Sequence, residues 1–228
     1  MAKLLSILSL LIFIPYLSFA AKKADNSNML VPHSEEKYFG DDDVKPSIYK
    51  LYAKELKEIE KYLNSFQTFT SSFKQSNKDN SINYGKLLIS KPGKIRCEYF
   101  KPSPVLIIIN ENRITYYDKE LDELSYTSAN VNALKFLALN DVNFSSLKIV
   151  EAEKDNHFIS LYIQEESKEL KQTLFLKLTF SYPKISLKQL TIITEESEID
   201  MAFEQITYNN IIGKKLFYFN RGFPKRRS

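Results

Sequence analysis

The sequence predicts a mainly β (α+β) fold, an incomplete antiparallel β-barrel of about 10 or 11 strands with an N-terminal amphipathic helix and a short helical lid. Three observations predict it. Apolar and polar residues alternate with a period of two in segment after segment from Phe66 onward. Short polar connections separate those segments at hairpin spacing. A single stretch with three- and four-residue periodicity precedes them all. One sheet of that many consecutive strands does not stay flat, so it curls into a barrel or part of one.

The first element is an export signal over residues 1–20. Lys3 supplies a positive start, Leu4 to Ile14 is an almost unbroken apolar run, and Ser18-Phe19-Ala20 places small residues where a signal peptidase cuts, near Ala20. The apolar run is shorter than the ~20 residues a membrane span needs, and Pro15 follows it. The expected address is the periplasm. No cysteine stands at or just after the cleavage site, so the chain is expected to travel in solution rather than on a lipid anchor. The lone Cys97 cannot form an intramolecular disulfide, which leaves a hydrophobic core as the source of stability.

Residues 21–46 form the second segment, a flexible polar leader. It carries Glu35-Glu36 and Asp41-Asp42-Asp43 and few large apolar residues. The triple aspartate lacks the spaced oxygen donors and distal glutamate of a calcium loop, so it reads as a solvated linker.

The domain proper spans 47–228. Ser47 follows Pro46 and can cap a helix, after which Ile48, Leu51, Tyr52, Leu56, Ile59, Tyr62 and Leu63 fall on one stripe. Lys50, Lys54, Lys57, Glu58 and Lys61 take the other side, giving an amphipathic helix of about four turns.

The clearest strand is Lys94 to Phe100, where Ile95, Cys97 and Tyr99 alternate with Lys94, Arg96 and Glu98. Around it the same reading gives Phe66 to Gln75, Tyr84 to Ser90, Val105 to Asn110, Arg113 to Tyr117 and Glu123 to Thr127. Leu147 to Ala152, Phe158 to Gln164, Gln172 to Phe180, Ser186 to Ile193 and Asp200 to Tyr208 complete the set. One interruption, Asn130 to Asn140, places Val131, Leu134, Phe136, Leu137 and Leu139 at helical rather than alternating spacing, as expected of a short apolar helix over the mouth of a curled sheet.

Composition narrows the function. A formal charge of +4 is too small to imply nucleic acid. Arg221, Lys225, Arg226 and Arg227 cluster near the carboxyl end, either as a solvated tail or as a contact for anionic lipid or an acidic surface. With 5 Gly against 16 Phe and 14 Tyr, large apolar faces must be covered by strands. Only His33 and His157 are present, and the former lies in the leader, so no histidine pair is available for zinc inside the domain. No phosphate-cradling glycine loop occurs, and Glu165-Glu166 and Glu195-Glu196 sit beside turns. We therefore expect no enzyme, no catalytic residue, no cofactor and no metal. Phe, Tyr and Leu at alternate positions fit either a filled core or a ligand cavity.

Several stretches in order resemble the LolA family of periplasmic outer-membrane lipoprotein carriers. They are Phe73-Lys74-Gln75, then Gly85-Lys86-Leu87-Leu88-Ile89-Ser90-Lys91-Pro92-Gly93-Lys94-Ile95-Arg96-Cys97-Glu98-Tyr99. Pro102 to Pro104 then leads into Val105-Leu106-Ile107-Ile108-Ile109-Asn110, and Tyr116-Tyr117-Asp118 closes the next strand. The likeness is good from Ser47 to Asp141, and beyond it rests on strand pattern and a closing aromatic segment, Phe217 to Phe219.

The resemblance implies a concave apolar face that holds the acyl chains of lipoproteins released from the inner membrane and delivers them to the outer membrane. It implies as partners acylated lipoproteins, an inner-membrane lipoprotein-releasing transporter and an outer-membrane acceptor, with the chain itself a monomer. Candidate cavity residues are Phe66, Phe69, Phe73, Leu88, Ile95, Cys97, Tyr99, Leu134, Phe136 and Leu137. The family ties its lid shut with an arginine before the proline of a strand-to-strand turn, and the matching residue here is Lys91, the candidate latch for a lid made of Ala133 to Leu139 and the first helix. Lysine lacks the planar fork of arginine. A family aromatic and a family tryptophan fall on Ile95 and Cys97, both smaller, which implies a rim that is either roomier or filled by other aromatics such as Phe66, Phe69, Phe73 and Tyr99. A carrier or sensor of another envelope lipid on the same fold is the competing reading.

Overall fold

The computed structural model describes residues 47–128, 133–167, 172–194 and 197–220. The expected signal peptide and leader, Val131 and the basic cluster from Arg221 to Arg227 lie outside them.

The helical stripe forms in two pieces rather than one, α1 over Ile48–Leu51 and α2 over Ala53–Asn64, with Tyr52 between them at φ −111° and ψ 24°. The break has a visible cause. Tyr49 donates its hydroxyl to the Leu147 carbonyl at 2.5 Å and accepts the Ile149 N–H at 3.1 Å, which holds α1 against the strand starting at Lys148 while α2 follows the core. Ser47 stands at the N-cap position but its side chain makes no capping bond; its carbonyl receives the N–H groups of Lys50 and Leu51 instead. On α2, Leu56, Ile59 and Leu63 point into the protein and are buried.

All the period-two segments form strands: β1 Thr68–Asn77, β2 Ile82–Ser90, β3 Lys94–Tyr99, β4 Val105–Asn110, β5 Arg113–Asp118 and β6 Glu123–Ser128. The second group is β7 Lys148–Lys154, β8 Phe158–Ser167, β9 Gln172–Ser181, β10 Ser186–Ile193 and β11 Glu198–Tyr208. They make one 11-stranded antiparallel sheet in the order β6-β5-β4-β3-β2-β1-β11-β10-β9-β8-β7. This differs from a simple meander. Two meanders meet where β1 pairs with β11, through partners such as Phe73 and Phe203, and the consecutive strands β6 and β7 end up on opposite edges of an unclosed sheet. The segment between β6 and β7 must therefore cross from edge to edge. Register shifts at Thr70/Ser72, Leu187/Gln189 and Ile149/Glu151 add the local bends that let the sheet curl.

Alternation decides which face is which. Phe69, Phe73, Leu87, Ile89, Ile95, Cys97, Tyr99, Ile107, Ile109 and Ile114 turn inward, and Leu161, Leu178, Phe180, Leu190, Met201 and Phe203 do so from the other half, all within one apolar cluster. Gly85 is required in this row because a Cβ there would lie 2.3 Å from the Phe73 ring and 2.5 Å from the Glu98 carbonyl oxygen. The Phe73 ring occupies that space and meets Tyr99 edge to face at 5.1 Å. Leu88 departs from the sequence reading. It is only half-buried while its neighbours Leu87 and Ile89 are fully buried, so its side chain lies on the convex face.

The crossing segment carries two 3-10 helices, Ala133–Ala138 and Phe144–Ser146, and sets Leu134, Phe136, Leu137, Val142 and Phe144 into the same core. Phe136 and Phe144 stack at 6.1 Å. A third, Lys214–Phe217, lies outside the sheet, across β3 and β4. Arg96 donates to the Leu216 carbonyl at 3.1 Å, Asn110 to that of Phe217 at 3.4 Å, and Tyr117 packs on Phe219 at 4.9 Å, so Leu106 and Ile108 are buried on the convex side as well.

Candidate functional site

The site is the concave apolar face together with the two covers laid over it, α2 and the Ala133–Ala138 helix. Both meet the sheet mainly through apolar side chains, Leu56, Ile59 and Leu63 on α2 and Leu134, Phe136, Leu137 and Ala138 on the other. They are fastened at the rim by a small set of polar bonds.

The turn between β2 and β3 carries the first two. Lys91 is 8% exposed, and its ammonium donates to the Leu63 carbonyl at 2.6 Å while lying 4.4 Å from the centre of the Phe66 ring. Leu63 is in the last turn of α2, where carbonyls have no partner within the helix and the helix dipole favours a cation. Burial pushes the Lys91 ammonium below its ordinary pKa, and the charge of Asp141 pulls it partly back. Two residues on, Gly93 takes φ +68° and gives its N–H to the Ala138 carbonyl at 2.9 Å, which ties the same turn to the second cover.

Further bonds fix α2 to the rest of the crossing segment and to the sheet edge. The Asn64 side chain donates to the Val142 carbonyl at 2.9 Å and accepts its N–H at 2.8 Å. Glu60 accepts the Phe144 N–H at 2.6 Å. Glu55 on α2 meets Lys154 on β7 at 2.6 Å, and this bond holds the Glu55 carboxyl below its usual range.

Beneath the covers lies an aromatic cluster. Phe66, Phe69 and Tyr208 pack within 6 Å of one another, and the Tyr62 and Tyr208 hydroxyls share a hydrogen bond at 2.7 Å. Cys97 is completely buried and its thiol is pushed far above the ordinary range by desolvation, so it is an inert small apolar residue there.

Of the residues singled out from sequence, Phe66, Phe69, Phe73, Ile95, Cys97, Tyr99, Leu134, Phe136 and Leu137 come together in the one cluster, and Leu88 does not. Lys91 sits at the junction of both covers. Sequence reasoning missed the lining from the second meander and the rim residues Glu55, Glu60, Asn64 and Asp141. Asn64 at the end of an amphipathic stripe was the one signal available for them, since asparagine readily bonds nearby backbone. Among the described residues no cluster of His, Cys, Asp and Glu could hold a metal ion, and no helix is long and apolar enough to cross a membrane.

The family model described as outer membrane lipoprotein carrier protein LolA matches residues 64–220. The outer-membrane lipoprotein carrier protein of Coxiella burnetii is 27% identical over 177 residues, covering 71% of this chain and 81% of that protein. An uncharacterized protein of Rickettsia prowazekii, RP864, is 29% identical over 167 residues, covering 72% of this chain and 76% of that one. Among solved structures, the LolA superfamily protein NE2245 from Nitrosomonas europaea aligns with a TM-score of 0.41 at 7% identity, over 72% of this chain and 97% of that one.

Proposed function

Because the chain belongs to the outer membrane lipoprotein carrier (LolA) family, we propose that it is a periplasmic, non-enzymatic chaperone that shields the acyl chains of lipoproteins released from the inner membrane and delivers them to the outer membrane. Residues 1–20 direct export and are removed near Ala20, residues 21–46 are a leader, and the monomeric carrier domain is 47–228. It receives cargo from an inner-membrane lipoprotein-releasing transporter and gives it to an outer-membrane acceptor. The observation that carries this reading is an unclosed, predominantly apolar concave sheet whose covers are fastened at the rim by few polar bonds, with Lys91 and Gly93 holding one cover each.

Energetics explain why a carrier needs such covers. Each methylene moved out of water gains ~0.8 kcal/mol, so a perfect pocket would hold several long chains almost irreversibly. Here Leu56, Ile59, Leu63, Leu134, Phe136 and Leu137 pack on the concave face. Cargo must displace them and break bonds such as Lys91 to Leu63. That cost subtracts from the gain, and the apparent affinity falls by the fraction of time the site stands open. Capture thus stays reversible enough for delivery.

Inner-membrane vesicles loaded with a radiolabelled lipoprotein and supplied with ATP test the reading. Label should move to the soluble fraction only when this protein is added, and should leave it again for outer-membrane vesicles. Label that stays in the inner-membrane vesicles with the protein present refutes it.

A further inference from the structure

The concave face is graded from one end of the strands to the other. At the end nearest the Lys91 turn the register aligns Phe69, Ile89, Ile95, Ile109 and Ile114, an unbroken apolar row. At the opposite end, where β1 turns into β2 and β5 into β6, buried polar groups take over: Gln75, Asn83, Asp118 and the Tyr99 hydroxyl. Tyr116 lies between the two zones, level with Cys97 and Ile107.

These polar groups differ in one respect. Tyr99 donates to Gln75 at 2.7 Å, Gln75 donates to Asn77 at 2.8 Å, and Asp118 accepts the N–H groups of Glu120 and Leu121 at 2.8 and 2.9 Å. The Tyr116 hydroxyl, on a residue only 5% exposed, has no hydrogen-bond partner among the described residues. Its proton stays on, since burial and the charges of Asp118 and Glu123 push its pKa up to about 12. A phenol buried without a partner is costly and normally avoided, and phenylalanine would fill the same space without that cost. The retained hydroxyl points to a ligand group that accepts its hydrogen bond.

We infer that Tyr116 marks the polar-head end of the acyl site, where its hydroxyl donates to an ester or amide carbonyl at the head of a bound acyl chain whose hydrocarbon runs toward the Phe69 to Ile114 row. The inference rests on the carrier reading above and adds a chemical preference to it. Carbonyl-linked chains are favoured over ether-linked or bare hydrocarbon chains of equal length, because only a carbonyl offers a strong acceptor at that point.

The test uses the full protein and two fluorescent peptides, one with an S-(diacyloxypropyl)cysteine and the other with its dialkyl ether counterpart. The wild type should bind the diester about fivefold more tightly than the diether, the size of one hydrogen bond, and Tyr116→Phe should bind both alike. The variant should also unfold at the same or a higher temperature, which a structural hydroxyl would not allow. Equal binding of both peptides by the wild type overturns the role of Tyr116 while leaving acyl binding intact. Binding of neither peptide overturns the carrier reading and this inference with it.

Discussion

The Lys91 ammonium donates to the Leu63 carbonyl oxygen at 2.6 Å, joining the β2–β3 turn to the last turn of α2 beneath the surface of the protein. In the proposed carrier cycle α2 lifts from the concave face and this bond is lost, so it would contribute only to the closed state. Replacing Lys91 with Met leaves the carbonyl without its cation and should destabilise closure by about 1 kcal/mol, the net size of an ordinary hydrogen bond, because the ammonium regains hydration on opening. Apparent cargo affinity should rise about fivefold and release should slow accordingly. Equilibrium binding and transfer kinetics of a lipopeptide measure both, and values unchanged from wild type would remove Lys91 from the latch.

Glu55 and Lys154 pin α2 to the edge strand β7 in a pH-dependent way. The folded protein holds the Glu55 carboxyl below its model-compound value of 4.5, mainly through the hydrogen bond from Lys154. A depressed carboxyl pKa gives stability that is present above pH 4.5 and lost as pH falls through the folded value. Urea midpoints of wild type and Lys154→Met should therefore differ at neutral pH and converge in acid. A gap that is constant across pH 3 to 7, the range around an ordinary carboxylate, would show that the pair contributes no linkage.

Leu87 and Leu88 are adjacent in sequence and opposite in fate. Leu87 is fully buried in the concave core, whereas Leu88 lies half-buried on the convex side. Leu87→Ala should cost about 2 to 5 kcal/mol and Leu88→Ala under about 1 kcal/mol, read from urea denaturation. Similar costs at both positions would mean that the β2 register is wrong.

The strands were legible in the sequence because the sheet buries one face and alternation is strict in segments such as Lys94–Tyr99. Leu88 misled because Leu87-Leu88-Ile89 is apolar on both faces, and its outer side is half-covered too. The pairing of β1 with β11 was illegible, since partners such as Phe73 and Phe203 are brought together only by the fold. Lys91 was found through its place before Pro92 in a turn resembling that of a known family. Its acceptor was not, because the Leu63 carbonyl is a backbone group that any residue would supply. Tyr116 stood in a strand pattern that accounts for its ring and says nothing about its hydroxyl.

Native mass spectrometry of the intact protein released from a periplasmic extract tests the carriage of lipoprotein most directly. The expected result is a population heavier than the free chain by one acylated polypeptide, which on release and digestion gives a triacylated or diacylated N-terminal cysteine peptide. A protein that emerges empty, or loaded only with free lipid, would contradict it.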